Sequence, residues 1–386
     1  MSFKFPLATS SWDQDEQDAI ARVIASDMYS MGPEVAKFET EFAAFMGSKH
    51  AIMCNSGSSA NLLMVAALAY TRENQLKRGD EVIVPAVSWS TTYAPLHQYG
   101  LHLKFVDIDP HTLNYNLEDL ATAVTDNTRL IMAVNLLGNP NDFDAIAKII
   151  GDRDIPIIED NCESMGATLN DKQAGTFGIM GSYSAFFSHH ISTMEGGLVV
   201  TDNTELYHLM LSLRAHGWTR NLPKENLVTG TKSNDPFEES FRFVLPGYNL
   251  RPLEMSGAIG QAQLAKLPDL IEGRRRNGAL FQSTLGNHSD LRIQRETGAS
   301  SWFGFSLVIK PESNLKRPEL VKTLVAKGFE CRPIVSGNFA KNEVLKHFDH
   351  SIHGTLEHAD YIDQNGLFIG NHHYPIEAAI EALREV

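Results

Sequence analysis

The chain has 386 residues, enough for one large domain and a smaller one, each with its own core. Hydrophobic residues make up 43% and charged residues 21%, an ordinary globular composition, but 47 acidic against 33 basic side chains leave a formal charge of −14. So acidic a surface argues against nucleic acid and anionic membranes as partners, while a few local arginines suffice for one bound nucleotide.

The N-terminal stretch Met1–Pro6 has no apolar core of signal-peptide length, and no apolar run approaches a membrane span. A cytoplasmic location is the default expectation. The three cysteines, Cys54, Cys162 and Cys331, lie far apart without CxxC spacing. That argues against a disulfide framework, a structural zinc site and any iron–sulfur cluster needing four thiolates.

In chain order, Ser11 is placed to cap a helix through Ile20, Val23 and Ile24. A second helix sets Val35, Phe38, Phe42 and Phe45 on one face and stops at Gly47. Short apolar strands are predicted at 51–54, 81–85, 104–108, 130–134, 155–158, 182–188 and 198–201. Helical stretches at 60–70, 117–124 and 143–150 separate several of them. This alternation predicts an α/β fold with a mostly parallel sheet covered on both faces. Residues 219–246 read as a long polar excursion closing a large domain (1–246). From Leu253 a helix opens a smaller α+β C-terminal domain (247–386).

Four segments carry chemistry. A strand ends at Cys54, and Ser56-Gly57-Ser58-Ser59 opens a helix, with Gly57 allowing a tight turn. Amides and hydroxyls there form a phosphate cradle, or simply a capped helix start. Asp160 ends the apolar run after Ile158, where α/β sheets place ligands; it suits a protonated pyridine nitrogen, or is only a helix cap. Trp89 follows a strand and is placed to stack on a flat ring, or to sit in the core. The fourth segment runs from Ser182 to Gly197 and contains His189 and His190, otherwise readable as two loop histidines.

That last segment resembles the sugar aminotransferases and dehydratases of the DegT/DnrJ/EryC/StrS type. Ser184 and Glu195-Gly196-Gly197 match the family pattern. Six residues before the glutamate, where the family carries its Schiff-base lysine, stands His189, and no lysine lies between Lys172 and Lys224. The resemblance covers nearly the whole chain, through Met31-Gly32-Pro33-Glu34, the phosphate loop, and Trp89. It continues through Asp160, Ala215-His216-Gly217, Gly247-Tyr248-Asn249-Leu250-Arg251, and Arg332-Pro333 with Ser336-Gly337-Asn338.

The resemblance implies fold-type I, aspartate-aminotransferase-like architecture and pyridoxal or pyridoxamine phosphate as cofactor. It implies Ser56, Gly57, Ser58, Ser59 and Ser184 at the phosphate side, Trp89 on the ring and Asp160 at the ring nitrogen. Glu163 takes a place more often held by glutamine, near the ring oxygen. Asn249 is expected to reach the phosphate of the neighbouring subunit, giving a homodimer with shared sites. His216, Arg220, Arg251 and Arg332 are candidate substrate contacts.

An imidazole cannot capture the cofactor aldehyde but does move protons near neutral pH. Two dehydratases of this family are known to carry histidine there. One acts on a CDP-sugar with an iron–sulfur cluster. The other uses only the cofactor and glutamate, and this chain resembles it. GDP-4-keto-6-deoxymannose and L-glutamate are the substrates so implied, with loss of the C3 hydroxyl and catalysis by His189. An ordinary sugar aminotransferase using another lysine, or an inactive member kept as a binding or scaffold subunit, remain the alternatives.

Overall fold

Apolar runs bounded by turn residues pair into an eight-stranded sheet in the computed structural model, which describes residues 3–386; Met1 and Ser2 of the N-terminal stretch lie outside it. The strand order is His50–Cys54, Gly197–Thr201, Met180–Ser184, Ile157–Asp160, Thr128–Val134, Glu81–Pro85, His102–Val106, His350–Ile352. Neighbours run parallel except at Gly197–Thr201, which is antiparallel to both partners. The sheet is therefore mostly parallel, and alternate residues enter opposite layers. Ile52 and Cys54 pack with α3 (Gly57–Leu68), whereas Ala51 and Met53 pack with Phe38 and Phe42 of α2 (Pro33–Met46).

Local chemistry accounts for the helix ends. α2 starts on Pro33 and ends where Gly47 turns left-handed at φ 70°. α1 (Gln14–Ser26) is capped by Asp13, not by Ser11 as expected. Asp13 and Glu16 satisfy each other's backbone amides in a capping box, while the Ser11 hydroxyl donates to Gln263 at 2.7 Å.

Three predicted strands are displaced: 104–108 is His102–Val106, 155–158 is Ile157–Asp160, and 182–188 is Met180–Ser184. The excursion 219–246 is not irregular throughout. It folds a small hairpin, Glu225–Asn226 with Gly230–Thr231, and a helical turn, Pro236–Glu239.

The helix Glu254–Leu285 runs from α1 and α2 into a second core, where Phe281 packs with Phe305, Leu307 and Ile369. That core lies on an antiparallel sheet ordered Leu291–Ile293, Gly304–Ile309, Gly366–Gly370, Cys331–Arg332. Strand His350–Ile352 leaves this region and returns to the edge of the first sheet. Among the described residues no helix is long and apolar enough to cross a membrane.

Candidate active site

The parallel strands end together, and a cavity of about 540 Å³ opens at their C-terminal edge. Strand ends and the turns after them supply Ser88 and Trp89, Leu136 and Leu137, Asp160 and Glu163, and Ser184 with His189. The start of α3 supplies Ser56, Gly57 and Ser58, while Phe303 and Arg332 close it from the second sheet.

Asp160 is buried and held on three sides. Its Oδ2 accepts from Asn61 Nδ2 (2.8 Å) and Thr92 Oγ1 (2.6 Å), and its Oδ1 accepts from the Cys162 amide (3.2 Å). The supports are themselves fixed. The Ser182 hydroxyl donates to Asn61 Oδ1 (2.6 Å), and the Ser88 and Thr92 hydroxyls lie 2.7 Å apart. A carboxylate so oriented is a fixed acceptor for a cationic N–H.

At the opposite end, Ser56 caps α3 by accepting from the Ser59 amide (3.1 Å), and Ser58 Oγ lies 2.9 Å from Thr91 Oγ1. Gly57 is the first residue of α3 and does not supply the tight turn expected of it. Its lack of a side chain is a matter of clearance: a Cβ would stand 2.7 Å from Ser184 Cβ and 2.9 Å from Cys162 Sγ. Ser59 bonds to Ser56 and does not line the cavity. Trp89, 58% exposed at the start of helix Ser90–Gln98, walls the cavity with its apolar surface.

His189 faces the same space. Its amide donates to the Phe186 carbonyl (2.9 Å), and its ring lies 5.1 Å from that of Phe303. Its Nδ1 is buried without a hydrogen-bond partner. Burial, and then the charge of Arg274, lower its pKa to about 4, so the imidazole is a neutral base at pH 7. Glu163 accepts from the Leu137 amide at 3.0 Å, and burial with the nearby Asp160 charge raises its pKa to about 7.

The other expected residues divide. Arg332 is at the mouth, exposed and 3.4 Å from Glu330. His216, Arg220, Asn249 and Arg251 do not line the cavity. They gather round Trp218: Arg220 lies 4.1 Å and Arg251 5.6 Å above the indole, His216 packs edgewise at 5.0 Å, and Arg251 donates to Asn249 (3.0 Å). Asn61, Thr92 and Phe303 were not foreseen. They come from helix interiors and a distant segment, and only proximity in the fold reveals them.

These groups fit a phosphorylated pyridine. A fixed carboxylate suits the ring nitrogen, an exposed indole suits the ring face, and a cleared helix N-terminus with serine hydroxyls suits the phosphate. Among the described residues no lysine lines the cavity.

The DegT/DnrJ/EryC1/StrS aminotransferase family model matches residues 10–381. A GDP-4-keto-6-deoxy-D-mannose 3-dehydratase of Yersinia pseudotuberculosis is 62% identical over 380 residues, covering 98% of this chain and 97% of that protein. The solved structure of the Escherichia coli GDP-4-keto-6-deoxy-D-mannose-3-dehydratase with bound hydrated PLP superposes with a TM-score of 0.99 at 60% identity, over 100% of this chain and 99% of that one. A structure of such a 3-dehydratase with a trapped PLP-glutamate geminal diamine gives 0.98 at 60% identity, over 99% of each chain. By fold, site and sequence, this chain belongs to the DegT/DnrJ/EryC1/StrS aminotransferase family.

Proposed function

We propose that the chain is a pyridoxal-phosphate-dependent 3-dehydratase of GDP-4-keto-6-deoxy-D-mannose, with L-glutamate as amine donor. The products are GDP-4-keto-3,6-dideoxy-D-mannose, 2-oxoglutarate and ammonia. One observation carries this reading: an imidazole, His189, faces the cavity at the place where the family carries its lysine. Bound cofactor supplies the nitrogen carrier and electron sink through which glutamate's two electrons reach the sugar, so no reductase is required.

The protein's own contribution is binding and proton movement. Asp160 pairs with the ring nitrogen, Trp89 stacks on the ring, and Glu163 faces the ring oxygen. Ser56, Gly57, Ser58 and Ser184 receive the phosphate, with Ser59 supporting Ser56 from behind. The cofactor is held without a covalent bond to the chain. His189 takes the proton from C4′ of the cofactor and returns a proton to the oxygen leaving C3 of the sugar. Phe303 and the apolar wall at Leu136 and Leu137 limit water around that transfer.

The reading includes a homodimer with shared sites. Exposed apolar side chains, Phe186, Phe187 and Met194, lie in the segment that borders the cavity, and Tyr29 and Leu253 are exposed as well. Phe187 bonds through its amide to Met194, Glu195 accepts from Ser256, and Leu253 bridges to Ser30 beside exposed Tyr29. A second copy covering these side chains brings Asn249, and with it His216, Arg220 and Arg251, toward the site that Arg332 already borders. The same reading places the protein in the cytoplasm with its nucleotide-linked substrate.

The deciding experiment is mass analysis of the product formed from GDP-4-keto-6-deoxymannose and glutamate. Loss of the C3 oxygen with the ketone retained is expected. A product that has gained an amine makes the chain an aminotransferase and overturns the reading.

A further inference from the structure

Behind Phe303 of the cavity wall, the helix Glu254–Leu285 buries a cation. Arg274 is 7% exposed, and its Nη1 donates to the carbonyls of Phe303 (3.0 Å) and Asn371 (2.9 Å). Its Nε is buried with no partner. Burial alone lowers its pKa, to about 10, and no carboxylate offsets it. A buried, unpaired guanidinium is costly, and an apolar side chain there would avoid the penalty.

The carbonyl it grips belongs to Phe303, whose ring borders the cavity and lies 5.1 Å from His189 and 5.9 Å from His190. We propose that Arg274 is the positioning residue for His189: it pins the Phe303 peptide so that the ring holds the imidazole in place, and its unneutralised charge helps the protonated imidazole give its proton up again. This inference rests on the reading of His189 as the proton carrier.

The charges facing His189 are few. From the helix come Arg274 and, one residue on, Arg275, which is tied to the carbonyls of Ser300, Ala299 and Gly166. From its own loop come His190, whose Nε2 lies 3.1 Å from the Ser301 carbonyl, and Glu195. Across the cavity stand Asp160 and Glu163, with Arg332 at the mouth. His372 and His373 flank Arg274 from the far side, and its charge lowers the pKa of both after burial does. The carboxyls favour a protonated imidazole and the guanidiniums oppose it, and Arg274 is the cation acting on His189.

The test follows the His189 ring resonance across pH in the full-length, cofactor-free chain, assigned by its loss in His189→Asn. Arg274→Gln is expected to raise the midpoint by about one pH unit, a tenfold change in proton affinity. Arg274→Lys, which keeps the charge, should leave the midpoint near that of the parent. The acid limb of the glutamate half-reaction should shift with it in Arg274→Gln. An unmoved midpoint in folded Arg274→Gln overturns the electrostatic role. Phe303→Leu tests the mechanical link, and also serves if Arg274→Gln does not fold. A fall in kcat of about tenfold with KM for glutamate retained is expected, and a parental kcat overturns the relay. A shifted midpoint in a chain that yields no 3-deoxy product would support the Arg274 inference and refute the functional reading separately.

Discussion

Asp160 and Glu163 border one cavity but are wired differently. Asp160 accepts from two side chains and one amide, whereas Glu163 accepts from the Leu137 amide and is otherwise enclosed. With its pKa raised to about 7, Glu163 is protonated below neutrality and donates a hydrogen bond there; above pH 7 that proton is lost. An activity limb falling above pH 7 is therefore expected, and Glu163→Gln, a permanent donor, should remove it. A limb that persists unchanged in Glu163→Gln would assign it to another group. At His189 the expectation is starker. His189→Lys should bond covalently to the cofactor, seen as a pyridoxyl-lysine peptide after borohydride reduction, and should lose at least about a hundredfold in dehydration rate. Full turnover in that variant would remove His189 from the mechanism. Asp160 and Trp89 were legible in the sequence because each stands at or just after an apolar strand, whereas Ser184 and His189 were picked out by the spacing of the family pattern that the segment resembles. Asn61, Thr92 and Phe303 carried no such signal. Nothing in their neighbours separates them from ordinary helix or loop residues until the strands are paired.

Elements were legible where one property marked their ends. Pro33 and Gly47 bracket α2, and helix Phe143–Ile150 stands as predicted. Strand positions slipped where hydrophobicity and pairing part company. The apolar run ends at Ile158, yet the ladder continues through Glu159 and Asp160 opposite Gly181 and Ser182. Glu159 is tolerated inside because the Gly175 and Gly178 amides (2.6 and 2.7 Å) and Asn135 (2.9 Å) donate to its carboxyl. The edge strand His350–Ile352 was missed because a half-polar strand paired on one side lacks a clear periodic pattern. α2 also depends on a remote residue. Glu254, buried at the start of the long helix, accepts from the Gly32 and Glu34 amides (2.6 Å each) and from Val35 (3.3 Å), neutralising the orphan N–H groups of α2. Glu254→Ala strands them in the interior and should cost about 2–4 kcal/mol. Urea denaturation checks this, and an unchanged midpoint would mean water replaces the carboxylate.

At the scale of the whole molecule, the buried histidines make the fold sensitive to mild acid. Burial lowers the pKa of His189 and His372 to about 4, and holds that of His190 well below the usual imidazole range. His372 is held as a neutral ring between the Pro6 carbonyl (3.0 Å) and the Thr9 hydroxyl (3.1 Å), joining the N-terminal segment to the second domain's core. In the unfolded chain each histidine titrates near 6.5, so between pH 6.5 and 4 the unfolded state binds more protons and stability falls as pH falls. Glu163 has the opposite sign: between about 4.5 and 7 its proton is bound in the folded state and absent in the unfolded one. For these four groups taken alone, three against one leave a net uptake of about two protons on unfolding near pH 5.5, a slope of about 2–3 kcal/mol per pH unit; His373 adds to it with the same sign, and the buried Glu159 and Asp107, raised by desolvation, act against it. Carboxylates held below their usual range, such as Glu16 and Glu34, add their losses only below about pH 4.5. The stability of the cofactor-free chain should therefore begin to decline near pH 6, before the carboxylates titrate. Urea midpoints measured at half-unit steps from pH 7 to 4.5 should fall steadily, and His372→Asn should flatten the slope by about one proton. A midpoint constant down to pH 5 would show that these histidines titrate alike in the folded and unfolded chain, and the lowered pKa of His189 would lose its physical basis.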